Sequence, residues 1–207
     1  MHFIAHRGLY NNEIGENTLS AIDNAFQNGY YGVEIDLRKT KDNKVVIIHD
    51  PFISRVSNGI GLVNQLTYQE LLKYNFGKKT IERIPLLSEV INRYENRFFI
   101  LELKEKILIS ELNLNDQNTY YISSFNIDYI NNIPKSTQYK KGIINYLFNK
   151  NINLKSIDFI MILDTFINDE IYKFYNNNGI EVLVYGVGKK INLNLSKENR
   201  AKVKYII

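Results

Sequence analysis

Val33-Glu34-Ile35-Asp36-Leu37 and Val45-Val46-Ile47-Ile48-His49-Asp50 are two apolar runs that carry carboxylates and a histidine among aliphatic residues. Both are rich in Val and Ile, and Lys41-Asp42-Asn43-Lys44 between them suits a tight turn. A parallel pair would need a crossover of roughly a dozen residues, so an antiparallel hairpin is expected. With Asp42 and Asn43 as the central turn residues, Thr40 opposes Val45, and the ladder then brings Asp36 opposite His49. Strand alternation puts Glu34 on the face of Asp36, with Val33, Ile35 and Leu37 on the other. Three ligand-type side chains converge in this register; a longer loop or a bulge moves it by one residue.

Upstream, Phe3-Ile4-Ala5-His6-Arg7-Gly8 reads as a short strand that breaks at Gly8, leaving His6 and Arg7 at its C-terminal end. Glu16-Asn17-Thr18 follows, with Asn17 as N-cap of a helix that carries Leu19, Ile22 and Phe26 on one face. Downstream, Thr67-Tyr68-Gln69-Glu70 has the capping-box pattern and opens a helix expected to end near Gly77; a further helix runs from Leu87 to Tyr94. In Phe98-Phe99-Ile100-Leu101-Glu102-Leu103-Lys104, Glu102 and Lys104 share one strand face. The segment from Glu105 to Asn118 is short and poorly periodic. Beyond it, strands are expected at Tyr120 to Ser124, Lys141 to Asn145, Asp158 to Leu163, Glu181 to Val187 and Val203 to Ile207, with a helix opened by Asn168-Asp169-Glu170 and closed by Gly179.

Strands alternating with helices imply an α/β fold with a parallel sheet. With the second hairpin arm set aside as an excursion, eight strands remain, enough for a TIM-like (β/α)8 barrel with an abbreviated, degenerate second half; the alternation alone fits an open doubly wound sheet as well. In such barrels chemistry sits at the C-terminal ends of the strands, where His6, Glu34, Asp36 and Glu102 fall.

At 207 residues the chain is expected to form one domain. Its 26 Lys and Arg against 22 Asp and Glu give a net charge of +4, spread without basic runs, which argues against nucleic acid and mildly favours an anionic substrate. Cysteine is absent, so disulfides, thiolate nucleophiles and zinc-thiolate sites are excluded, and any metal must use oxygen or imidazole ligands. The N-terminus lacks the basic and apolar regions of a signal peptide and no apolar segment approaches 18 residues, so a cytoplasmic location without a transmembrane segment is expected.

In order and spacing, His6-Arg7-Gly8, Glu16-Asn17-Thr18, Glu34-x-Asp36, Thr40-Lys41-Asp42, His49-Asp50 and Leu101-Glu102-Leu103-Lys104 resemble the glycerophosphodiester phosphodiesterase family, whose members are TIM-like barrels. The resemblance runs from Phe3 to Lys104 and thins afterwards to Ser124-Phe125 and Val182-Leu183-Val184-Tyr185, where many relatives carry Trp in place of Tyr185. It implies a single domain over residues 1–207 that releases glycerol 3-phosphate and an alcohol from a small glycerophosphodiester. Glu34, Asp36 and Glu102 would hold one divalent cation, Mg²⁺ or Ca²⁺; three carboxylates suit such hard ions. His6 and His49 would act jointly as general acid and base, and Arg7 and Lys104 would contact the phosphate. Asp50 would orient rather than catalyse, and Tyr185 would support the substrate pocket. Glu16 stays open between ligating, orienting His6 or Arg7, and favouring the helix that follows. Two other functions share these residues: a phosphodiesterase for lysophospholipid or a glycerol-phosphate-decorated polysaccharide, and a catalytically silent barrel that binds phosphorylated ligands.

Overall fold

The computed structural model describes residues 1–146, 148, 152–186, 191 and 193–207. The chain divides into two compact units, Ala5–Tyr120 on the one hand and Met1–Ile4 with Tyr121–Ile207 on the other. Among the described residues, no helix is long and apolar enough to cross a membrane.

In the unit Ala5–Tyr120, the end of β1 (His2–His6) leads through a tight turn to α1 (Leu19–Gln27), then to β2 (Gly32–Lys39) and β3 (Val45–Ile47). After a long loop come the short α2 (Tyr68–Leu71), α3 (Leu87–Arg93), β4 (Phe98–Leu103) and α4 (Ile109–Leu112). β2 and β4 pair in parallel, with Glu34 beside Ile100 and Asp36 beside Glu102. Residues 32–37 of β2 and all of β4 are buried, as expected of strands covered on both faces. α1 closes one side by burying Ala21, Ile22 and Ala25 completely. Burial of Ile22 alone contributes about 2 to 3 kcal/mol.

β3 pairs antiparallel with β2, as expected, but one residue out of the expected register: Leu37 faces Ile47, Arg38 faces Val46 and Lys39 faces Val45. The connection is a three-residue loop rather than a two-residue one. Asn43 N–H closes a turn on the Thr40 carbonyl at 3.0 Å, Asn43 adopts the left-handed region at φ 58°, and Thr40 N–H then meets the Lys44 carbonyl. Asp36 therefore faces Ile48, whose N–H donates to the Asp36 carbonyl at 2.9 Å, and the expected Asp36–His49 opposition does not occur.

Two helix boundaries also differ from expectation. The N-cap of α1 is Thr18, whose hydroxyl accepts from Ala21 N–H, while Asn17 stands one residue outside at φ 57°. The Thr67–Glu70 capping box does form, but α2 stops at Leu71 rather than near Gly77. The Asn75 carboxamide oxygen accepts from both Gly77 and Glu82 N–H, and the Asn75 backbone N–H donates to the Asn58 side-chain oxygen, so side-chain bonding competes with helical continuation there.

In the other unit, β5 (Thr119–Ser124), β6 (Tyr139–Asn145), β7 (Phe159–Leu163), β8 (Glu181–Tyr185), β9 (Tyr205–Ile206) and β1 are neighbours in that order. From β6 to β1 each adjacent pair is parallel. Helices α5 (Ile127–Asn131), α6 (Asp169–Asn177) and α7 (Lys197–Lys202) lie between strands in sequence. The N-cap of α6 is Asn168, and acids fill its first turn. Lys141 is buried within β6, its ammonium satisfied by the Ile130 and Ile133 carbonyls at the end of α5. β8 ends at Tyr185, and the expected strand end at Val187 lies outside the described residues.

Candidate active site

Three carboxylates from two neighbouring strands form the centre of the site in the unit Ala5–Tyr120. Glu34, Asp36 and Glu102 each offer an oxygen within 4.8 Å of the others, and all three are buried. Their convergence follows from the parallel register: Asp36 and Glu102 are lateral neighbours, and Glu34 stands two residues back on the Asp36 face. Among the described residues this is the one cluster of three such groups.

Burial raises the Glu34 carboxyl well above its ordinary range, and the negative charges of Asp36 and Glu102 push it further. Glu102 is raised by burial and by Asp36 as well. Glu34 Oε1 is buried without a hydrogen-bond partner. An orphaned, buried carboxylate oxygen beside two more carboxylates is what a hard divalent cation relieves, so the donor set fits Mg²⁺ or Ca²⁺.

Two cationic side chains flank the trio. Lys104 Nζ pairs with Asp36 Oδ1 at 3.1 Å and with Glu102 Oε1. Burial would lower its ammonium, but Asp36 and Glu102 outweigh that and hold it charged. Arg7 Nε lies 3.3 Å from Asp36 Oδ2, and Nη1 donates to Glu16 Oε1 at 2.9 Å. Its backbone is placed by the turn: Arg7 and Gly8 both have positive φ, 57° and 76°, and Arg7 N–H donates to the Glu34 carbonyl at 2.8 Å. A Cβ on Gly8 would come within 2.8 Å of Ala21, which makes glycine obligatory against α1.

His6 ends β1 with Nε2 3.8 Å from Glu34 Oε2. Burial, with Arg7 next to it, lowers its imidazole to about 4, so the ring is neutral at pH 7 even though its side chain keeps 45% of its surface open to solvent. His49 follows the hairpin, with Nδ1 2.6 Å from Asp50 Oδ1. Burial alone would raise the Asp50 carboxyl, but hydrogen bonds from Arg55 and His49 bring it down to about 2. An ionised carboxylate accepts only, so Nδ1 is the donor in this contact. Arg38 Nε donates to the His49 carbonyl at 2.8 Å and Nη1 pairs with Glu105, which fixes the backbone under the ring.

The structure thus joins His6, Arg7, Glu16, Glu34, Asp36, His49, Asp50, Glu102 and Lys104 in one network. Tyr185 belongs to the other unit, at the end of β8, with its ring against Tyr146 at 6.3 Å. In that unit a cleft of about 960 Å³ lies among Lys135, Lys140, Lys155, Asp158, Glu181 and Lys204, and no residue expected in the site lines it.

Sequence reasoning missed two members. Asn17 is buried, with Nδ2 donating to Asp36 Oδ2 at 2.8 Å, so it holds the carboxylate rather than capping a helix. The quoted Glu16-Asn17-Thr18 motif carried that signal. Arg55 donates to both Asp50 and Glu16, and nothing in its local sequence marks it.

A family model described as "Glycerophosphoryl diester phosphodiesterase family" matches residues 6–111. A glycerophosphodiester phosphodiesterase of Caldanaerobacter subterraneus subsp. tengcongensis is 33% identical over 155 residues, covering 67% of this chain and 63% of that relative. One from Bacillus altitudinis is 40% identical over 111 residues, covering 50% of this chain and 45% of that relative. The chain therefore spans less than two thirds of the length of these curated relatives. The solved structure of an Oleispira antarctica phosphodiesterase, in complex with the product sn-glycerol-3-phosphate, superposes with a TM-score of 0.78 at 22% identity, covering 97% of this chain and 94% of that one. This likeness shows the fold, the TIM-like barrel expected from the alternation of strands and helices.

Proposed function

Because this chain belongs to the glycerophosphoryl diester phosphodiesterase family, we propose that it hydrolyses a small glycerophosphodiester to glycerol 3-phosphate and an alcohol. Residues 1–207 act as one catalytic domain in this reading, with Glu34, Asp36 and Glu102 holding a single Mg²⁺ or Ca²⁺. The observation that carries it is the buried carboxylate trio with His6 beside Glu34 and the His49–Asp50 pair linked to Asp36 through Arg55, Glu16 and Arg7.

A phosphodiester is anionic and its leaving alkoxide is poor, so hydrolysis needs charge neutralisation and a proton donor. A divalent cation held by Glu34, Asp36 and Glu102 would supply charge neutralisation and Lewis-acid polarisation of the phosphodiester. Arg7 and Lys104, each already held beside Asp36, present N–H groups to the same phosphate. One histidine takes the proton of the attacking hydroxyl and the other protonates the leaving alcohol; when the glycerol's own hydroxyl attacks, a cyclic glycerophosphate forms first, and water then opens it to glycerol 3-phosphate with the two proton transfers reversed. Each transfer contributes roughly 10²- to 10⁴-fold. Asp50 keeps the His49 proton on Nδ1 and leaves Nε2 to exchange with substrate.

The test is release of glycerol 3-phosphate from glycerophosphocholine, glycerophosphoethanolamine and glycerophosphoglycerol, with Mg²⁺, Ca²⁺ or EDTA. Turnover that needs the cation and disappears in Glu34→Ala and in His49→Ala is expected. A folded wild type that turns over none of the panel would overturn the small-diester reading and direct the assay to lysophospholipids and glycerol-phosphate polymers.

A further inference from the structure

The loop after β3 carries Arg55 on a single 3₁₀ turn, Ile53–Arg55, whose backbone is firmly anchored. Ile53 is fully buried, its N–H donates to the Gly61 carbonyl at 3.0 Å, and Val63 N–H donates to the Pro51 carbonyl at 2.9 Å. Ile53 and Val63 belong to one apolar cluster with Val46, Ile48, Leu71 and Ile84. The start of the Arg55 side chain is therefore as fixed as a strand residue.

From there the guanidinium spends all three of its faces on the site. Nε donates to Asp50 Oδ2, Nη1 to Glu16 Oε2 at 2.9 Å and Nη2 to Glu16 Oε1 at 2.7 Å. Asp50 uses its other oxygen on His49 Nδ1, and Glu16 Oε1 also receives Arg7 Nη1. Arg7 in turn reaches Asp36. The result is an unbroken chain of charge-assisted contacts, His49–Asp50–Arg55–Glu16–Arg7–Asp36. Without Arg55 it falls into two pieces, one on the β3 excursion and one on the β1 turn. The Glu16 side chain is 12% exposed and relies on Arg55 and Arg7 to stay ionised there; they hold its carboxyl low against the opposing effect of burial.

We infer that Arg55 is a positioning residue for the phosphodiesterase reaction: it sets the His49 imidazole relative to the carboxylate trio by bridging Asp50 and Glu16. The inference rests on the function proposed above. Lysine cannot replace it, because a single ammonium lacks the planar fork that serves two carboxylates at once.

The experiment compares wild type, Arg55→Ala and Arg55→Lys by steady-state kinetics and by ¹⁵N NMR of the imidazole nitrogens. With only His2, His6 and His49 in the chain, assignment is direct. Expected are a kcat reduced by about 10- to 100-fold in Arg55→Ala with KM changed much less, little recovery in Arg55→Lys, and partial recovery of Arg55→Ala by added methylguanidinium. The His49 Nδ1–H signal, fixed in wild type, averages between tautomers in both variants. A folded Arg55→Ala or Arg55→Lys protein with wild-type kcat and an unchanged His49 signal overturns the inference. If the wild type itself hydrolyses no phosphodiester, the function reading fails separately, and the His49 signal alone decides whether Arg55 positions the ring.

Discussion

Asp36 of β2 is the direct lateral neighbour of Glu102 of β4, and Lys104 Nζ bridges the two carboxylates. Two adjacent parallel strands thus bring like charges together in a buried layer and balance them only in part, with Glu34 two residues back on the same face. The arrangement is costly on its own and would become favourable with the divalent cation proposed above.

Glu34→Gln removes one of the three charges while keeping the shape. Stability in EDTA is expected to stay level or rise, since the raised Glu34 carboxyl is a source of strain there. With free cation at 100 times its Kd, the wild type gains about 2.7 kcal/mol and the variant gains far less. Urea denaturation with Mg²⁺, Ca²⁺ or EDTA measures this; an equal gain in both proteins would place cation binding elsewhere.

Asn17 tests the support beneath Asp36. Asn17→Gly tolerates φ 57° but withdraws the hydrogen bond to Asp36, at a cost of about 1 to 3 kcal/mol. Asn17→Ala adds left-handed strain of about 1 to 2 kcal/mol and is expected to be the less stable of the two. Equal stabilities would show that backbone strain plays no part at this position.

Asp50 gives a pH signature. Its carboxyl is held at about 2 in the folded protein, against about 3.9 in an unfolded chain. The stability it contributes is complete from about pH 5 upward and is lost as pH falls through the unfolded value toward 2, because the unfolded state takes up the proton first. Denaturation midpoints measured at pH 5, 3.5 and 2.5 should fall less steeply in Asp50→Asn than in wild type. Activity of the same variant at pH 7 should drop by 10²-fold or more, because an amide no longer enforces the Nδ1–H tautomer.

Gly8→Ala places a methyl group within 2.8 Å of the Ala21 backbone at a φ of 76°. Overpacking of about 1 to 3 kcal/mol adds to a left-handed penalty of about 1 to 2 kcal/mol, so the variant should unfold at markedly lower urea. A wild-type midpoint would show that α1 can retreat from the turn.

The carboxylate trio was legible in the sequence because charged residues at alternate positions of otherwise apolar strands have few other reasons to be there. The Thr67 capping box and the Asn168 N-cap were legible because both are local hydrogen-bond patterns. The hairpin register was not. Asp42-Asn43 suits a two-residue turn and a three-residue loop equally well, and the choice is made by Thr40 and Lys44 closing the loop around a left-handed Asn43. The α2 boundary failed because Asn75 finds backbone partners at Gly77 and Glu82, a competition that helical periodicity does not record. Arg55 was invisible for a different reason: its partner Glu16 is 39 positions away, so only the fold brings them together.

The β3 excursion has its own apolar cluster, built from Val46, Ile48, Ile53, Val63, Tyr68, Leu71, Phe76 and Ile84, and that cluster underlies His49, Asp50 and Arg55. In the proposed reaction one of the two histidines is thus mounted on an insertion outside the strand–helix repeat, while the three carboxylates belong to the repeat itself. A transplant of residues 40 to 84 into another barrel would carry this cluster, and with it the footing of the histidine, whereas a transplant of the hairpin alone would leave that footing behind.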